Sequence, residues 1–143
     1  MTCTFFGHKD TDFSKKEKIK MKIVELIQSN DITTFYVGNN GNFDFMIQNI
    51  LEELSKENES ISYSIVLSYI NERALSSIQS KTIFPEGFEK VPPRFSISKR
   101  NEWLIKNSDF AIVYSKYNFS NSYKWVTKAI KNGLTVINLC DTE

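Results

Sequence analysis

The residues best suited to chemistry begin with a short turn, Gly38-Asn39-Asn40-Gly41, which follows the apolar segment 32–37. Glycine allows a sharp turn and a positive φ, and without a side chain it lets a ligand approach the main chain. A periodic segment predicted to be a helix starts directly after the turn, so its free N–H groups and its positive end would face an anion there. The turn therefore indicates phosphate or nucleotide binding, with a tight structural turn as the alternative. Neither G-x-G-x-x-G nor a P-loop is present.

A carboxylate and a guanidinium are the charged candidates that would act with this turn. Asp44 falls in the first turn of the predicted helix, where it either meets a ribose hydroxyl or a loop N–H group, or simply offsets the positive helix end. Arg100 stands at a predicted helix start and suits bidentate contact with a phosphate or carboxylate. A buried salt bridge is the alternative role for Arg100. The neighbouring Asn101 either reads a base edge or caps the helix.

Polar residues that follow other predicted strands complete the expected binding set. His8 is the single histidine of the chain and comes just after Gly7 at the end of the first predicted strand. It is a donor to the ligand, a proton-transfer group or a hydrogen-bonded loop residue. Arg94 is either a second cation for the ligand or a surface charge. Ser120 and Asn121 lie in the polar loop after the fourth predicted strand, where hydroxyl and amide groups suit a phosphate.

Two glutamates would matter only if the protein is an enzyme. Glu86 and Glu89 lie in the irregular stretch 71–95, which holds all three prolines of the chain. If this stretch folds over the site, one carboxylate would stabilise an oxocarbenium-like ribose during N-glycosidic cleavage, or would act as a base. If it does not, both glutamates are exposed loop charges.

Alternating strands and helices are expected to position these candidates. The five predicted strands are 2–6, 32–37, 61–70, 110–114 and 134–139. The best helical periodicity is carried by Phe43, Met46, Ile47, Ile50, Leu51 and Leu54. The pattern predicts one α/β domain over residues 1–143, a Rossmann-like three-layer sandwich whose mostly parallel five-stranded sheet has helices on both faces. Ligands in such folds bind at the carboxyl ends of the strands, so His8, the 38–41 turn and the loops after residues 69 and 114 should face one crevice.

Size and composition limit the function classes. The chain has 143 residues and a net charge of +1, which suits one domain with a real core and gives no overall electrostatic case for nucleic acid or a membrane. No apolar run approaches the roughly 20 residues that cross a bilayer, and residues 1–7 lack a signal-peptide pattern. Cys3 and Cys140 are interpreted as free thiols of a reducing compartment. We therefore expect a cytoplasmic protein without a Cys/His metal site or a cofactor.

Four stretches together resemble the SLOG superfamily, which includes the DNA-processing protein Smf/DprA and the LOG cytokinin-activating phosphoribohydrolases. They are residues 2–8, 38–44, 92–104 and 108–114. The second lies where those proteins carry a Gly-Gly-x-x-Gly-x-Asp type signature, and the third contains Arg100-Asn101, similar to their Arg-Asn helix start. The resemblance covers nearly the whole chain and is strongest for small stand-alone members from bacteria or phages.

The resemblance implies a nucleotide or nucleotide-derived ligand and leaves two function classes open. One is a non-catalytic module that senses or sequesters an ADP-ribose-like or cyclic signalling nucleotide, in bacterial conflict or signalling, with a host role and a phage anti-defence role both open. The other is an N-glycosidase, or phosphoribohydrolase, acting on a nucleoside monophosphate. The Pro-Gly-Gly-x-Gly-Thr-x-x-Glu signature of that activity is missing, and residues 117–122 lack the glycines of the usual phosphate loop.

Other partners receive weaker support from the sequence. Single-stranded DNA binding, by analogy with Smf/DprA, is disfavoured by the near-zero net charge. The abundance of Phe and Tyr would permit a homodimer or a higher homo-oligomer.

Overall fold

The computed structural model describes residues 1–69, 81–116 and 121–142, and it shows a six-stranded sheet with helices on both faces. The strands β1 to β6 are Thr2–Gly7, Thr34–Val37, Ser62–Val66, Thr82–Ile83, Phe110–Tyr114 and Thr135–Asn138. The helices α1 to α4 are Lys16–Asn30, Asn42–Glu57, Ser96–Lys106 and Asn121–Lys131. Short 3-10 helices lie at Phe13–Lys15, Phe88–Lys90, Pro93–Phe95 and Leu139–Thr142. The predicted α/β class and the Rossmann-like three-layer sandwich are confirmed.

The strand order places β1 in the interior of the sheet. The order is β4-β3-β2-β1-β5-β6, and every pair of neighbouring strands is parallel. The chain first moves outward from β1 through β2, β3 and β4, and then returns to the other side of β1 to add β5 and β6. The direction of winding therefore reverses between β1 and β5, where Gly7 pairs with Tyr114. Such a switch point leaves a crevice at the carboxyl ends of the strands.

The predicted strand count of five is wrong, because the sheet contains a sixth strand. Residues Thr82–Ile83 form β4, which pairs with Ile65 and Val66 of β3. This strand lies inside the stretch 71–95 that the sequence predicts to be irregular. A strand of two residues has no readable alternation of apolar and polar side chains, so hydrophobic periodicity could not reveal it.

Each face of the sheet has its own core. Helices α1 and α2 cover one face, where Phe5 of β1 and Phe35 of β2 are buried. Helices α3 and α4 cover the other face and bury Phe6 against Trp125. Because both faces are covered, neighbouring residues of β1 are buried alike, as expected for a parallel sheet. Each fully buried large apolar side chain of this kind stabilises the fold by about 1.5–3 kcal/mol.

In residues 1–69, 81–116 and 121–142, no helix combines the length and the apolar character that crossing a bilayer requires.

Candidate functional site

A cleft of about 440 Å³ opens where the sheet winding reverses. Its lining comes from the ends of β1 and β2, the first turn of α2, and the helices α3 and α4. The volume falls in the range of roughly 300–1,000 Å³ that is usual for small-molecule sites. Seven of the predicted binding residues line it together: Gly7, His8, Gly38, Asn40, Asp44, Arg100 and Asn101.

Gly38 lies where Asp44 and Arg100 face each other. A Cβ atom on Gly38 would lie 2.7 Å from Asp44 Oδ2 and 2.8 Å from Arg100 Cζ, which is closer than side chains tolerate. The expected positive φ at Gly38 is wrong, because among the described glycines only Gly41, Gly87 and Gly133 have one. Gly38 is therefore required for space rather than for conformation.

Gly41 shapes the start of α2 in a different way. Its φ is 100°, and a Cβ atom there would lie 2.8 Å from Lys9 Cα. The backbone N–H of Asn42 donates to the carbonyl oxygen of Lys9 at 2.7 Å. The first N–H group of α2 therefore donates to the loop after β1. Fewer free N–H groups remain at this helix end for an anion than the sequence implies.

Asp44 is a buried carboxylate that closes the glycine turn. Its side chain is 8% exposed, and Oδ2 accepts a hydrogen bond from the backbone N–H of Asn40 at 2.9 Å. Burial raises the pKa of Asp44, while the charge of Arg100 and the Asn40 N–H group act in the opposite direction. The predicted contact with a loop N–H group is therefore confirmed, and the carboxylate still lines the cleft.

Arg100 is a buried guanidinium held by neutral groups. It is 3% exposed, and its Nη1 donates to Asn39 Oδ1 at 3.1 Å. Its Nε and Nη2 both donate to Asn101 Oδ1 at 3.4 Å. Burial lowers the pKa of Arg100, and the nearby Asp44 opposes this change. A buried cation needs a counter-charge, which Asp44 provides in part and an anionic ligand would complete.

The position of Arg100 and Asn101 within their helix differs from the prediction. Helix α3 begins at Ser96, after a 3-10 turn, so both residues lie in its second turn rather than at its start. The predicted capping role of Asn101 is therefore wrong, since a residue inside the helix cannot satisfy the free N–H groups of the first turn. Asn101 instead fixes the plane of the guanidinium.

His8 joins three elements beside the cleft. Its Nε2 accepts a hydrogen bond from the backbone N–H of Lys116 at 2.7 Å, just after β5. Its Nδ1 lies 3.3 Å from the Oγ of Ser122, at the start of α4. The hydroxyl of Ser122 lies 3.0 Å from that of Ser115. The imidazole thus connects the end of β1 to the opposite wall.

Several predicted site residues lie elsewhere. Arg94 is exposed, with its guanidinium 4.8 Å from the centre of the Phe95 ring. Glu86 and Glu89 are also exposed, and neither these two nor Arg94 is among the described residues that line the cleft. Ser120 falls outside the described residues. Asn121 is described only as the first residue of α4.

The sequence reasoning missed the contribution of α4 to the site. Ser122, Lys124 and Trp125 line the cleft, and none of them is among the binding residues expected from the sequence. The Lys124 ammonium lies 5.3 Å from the centre of the Trp125 ring. The position of α4 in the chain could have indicated this contribution, because a helix that follows β5 starts at the same edge of the sheet as the 38–41 turn.

Comparison with known proteins adds no assignment to this geometry. No protein-family model matches the chain, and no curated protein matches it either.

Proposed function

We propose that this protein binds a nucleotide or a nucleotide-derived small molecule, such as an ADP-ribose-like or cyclic signalling nucleotide, in the cleft beside Arg100. One observation carries the proposal. A guanidinium that is 3% exposed lines an open cleft, while its hydrogen bonds within the described residues go to the neutral amides of Asn39 and Asn101. The similarity of four sequence stretches to SLOG proteins supports the same ligand class. Membership of that superfamily is part of what we propose.

Different parts of the cleft suit different chemical groups of a ligand. A phosphate suits Arg100, because the two amides already fix the plane of its guanidinium for charge-assisted hydrogen bonds. Asp44 would repel a phosphate, but its carboxylate suits the hydroxyl groups of a sugar. Phe6 and Leu104 add apolar surface to the cleft, which suits a base. Phosphate, sugar and base together are the components of a nucleotide.

Calorimetric titration with ADP-ribose, AMP and cyclic AMP tests this proposal. We expect Arg100→Ala to weaken the binding of the best ligand by about tenfold or more, which corresponds to one hydrogen bond to a charged group. Arg100→Lys keeps the charge without the planar fork and should show an intermediate loss.

Lys99→Ala is the matched control for this experiment. Lys99 is exposed, neighbours Arg100 on α3, and pairs with Glu102 at 3.6 Å. Its removal takes the same charge from the same helix, and we expect less than about a twofold change in affinity. Equal losses in Arg100→Ala and Lys99→Ala, or no binding of any of the three nucleotides, would contradict the proposal.

A chromatographic assay separates binding from hydrolysis. We expect a nucleotide incubated with the protein to be recovered unchanged. Release of free base would instead favour the N-glycosidase. Glu86→Gln and Glu89→Gln would then identify the glutamate involved, and Asp44→Asn would test the carboxylate that lines the cleft.

A further inference from the structure

We propose that His8 is a positioning residue of the cleft, which acts as a neutral imidazole with its proton on Nδ1. In this form it holds the start of α4 and the residues after β5 against the end of β1. The inference about the imidazole stands on its own, while its effect on ligand affinity rests on the proposed function.

The contacts of His8 determine where its proton lies. A backbone N–H group can only donate, so the 2.7 Å bond from Lys116 N requires a lone pair on Nε2. A neutral imidazole has one proton, which must then be on Nδ1. Nδ1 faces the Oγ of Ser122 at 3.3 Å, and the hydroxyl oxygen accepts this proton as a hydrogen bond.

This tautomer excludes one kind of chemistry at the site. His8 and Ser122 are close enough to suggest a nucleophile and its base. The nitrogen that faces Ser122 carries a proton, however, and the other nitrogen accepts from Lys116 N. In this tautomer the imidazole does not take the hydroxyl proton of Ser122.

The bond from Lys116 N also links His8 to one wall of the cleft. The start of α4 brings Lys124 and Trp125 to the cleft, so a His8 variant without this bond would leave the position of that wall less constrained.

Nitrogen-15 NMR of the ligand-free protein tests the tautomer directly. The chain has one histidine, so its imidazole signals need no assignment. We expect the neutral ring to be protonated on Nδ1, and we expect protection of the Lys116 amide from hydrogen exchange that is lost in His8→Ala. A ring protonated on Nε2, or an unprotected Lys116 amide in the native protein, would overturn the inference.

His8→Gln provides the conservative variant, since its amide oxygen can accept from Lys116 N and does not titrate. With ADP-ribose as the probe, we expect His8→Ala to lower the affinity about fivefold or more, and His8→Gln to stay within about twofold of the native protein. An equal loss of affinity in His8→Gln would contradict the positioning role. Absence of ADP-ribose binding by the native protein would count against the proposed function, while the NMR result would still decide the state of His8.

Discussion

At the scale of single residues, the site depends on a glycine that a larger residue cannot replace. Gly38 is the position toward which the Asp44 carboxylate and the Arg100 guanidinium converge. The backbone there does not need positive φ. Any side chain would separate the two charges or displace one of them, so this glycine fixes the electrostatics of the cleft.

Gly38→Ala should therefore impair both stability and binding. Overpacking of this kind lowers the free energy of unfolding by about 1–3 kcal/mol. We also expect the variant to bind the nucleotide more weakly, because the new methyl group displaces Arg100. Denaturant unfolding and calorimetric titration measure the two effects.

Gly133→Ala is the informative comparison for Gly38→Ala. Gly133 has φ of 86°, and a Cβ atom there would meet no neighbour within 4 Å. The change should cost about 1–2 kcal/mol through backbone strain alone, without altering nucleotide affinity. If both variants bind the nucleotide as the native protein does, Gly38 has no role in the site.

At the scale of elements, the contact between β1 and α2 sets the position of the glycine turn. Gly7 ends β1, and a Cβ atom there would overlap the ring of Phe43 in the first turn of α2. The absence of a side chain at Gly7 lets α2 approach the sheet closely. This close approach places the turn before α2 next to the end of β1.

We expect Gly7→Ala to lower the free energy of unfolding by about 1–3 kcal/mol, because the new methyl group overlaps a buried ring. Phe43→Leu in the same chain should recover part of the loss. The double variant should therefore be more stable than the sum of the single changes predicts, by about 1 kcal/mol. Urea unfolding of the four proteins tests this coupling, and strict additivity would argue against the overlap.

The predictability of an element from sequence follows the strength of its local pattern. Helix α2 was predicted from six apolar side chains at helical spacing, and all six are buried. Strand β4 was missed because two residues carry no period. Helix α3 begins at Ser96, although the resemblance to SLOG proteins places a helix start at Arg100-Asn101.

The sequence predicts only in part which residues meet at the site, because local patterns do not determine how distant segments pack. His8 and the 38–41 turn follow adjacent parallel strands, so strand order alone predicts that they share a crevice. Arg100 joins them because Trp103 of α3 packs against Tyr36 of β2. The exposure of Glu86, Glu89 and Arg94 depends on the path of a long connection, which no local pattern determines.

At the scale of the whole molecule, the buried carboxylate links the site to global stability. The pKa of Asp44 is raised in the folded protein, chiefly by burial. Between this raised value and the ordinary value of about 3.9, the folded state binds a proton that the unfolded state does not. The contribution of Asp44 to the free energy of unfolding must therefore decrease as pH rises through this window.

Asp44→Asn removes this dependence and keeps an oxygen that can accept from Asn40 N. We expect the variant to be at least as stable as the native protein near neutral pH. Its advantage should shrink as the pH falls through the raised pKa of Asp44, because the folded native protein then also becomes uncharged at this position. Unfolding measured at a series of pH values checks the sign. A difference between the two proteins that grows with acidity would contradict it.

The pairing of β1 with β5 also determines when the protein can first function. Gly7 and Tyr114 are paired neighbours in the sheet, although more than a hundred residues of chain separate them. During synthesis on the ribosome, the wall that contains Ser122 and Trp125 emerges after the other walls of the cleft. The proposed ligand, which would need this wall, could therefore not assist the early stages of folding. It would stabilise only the protein in which all of these walls are in place.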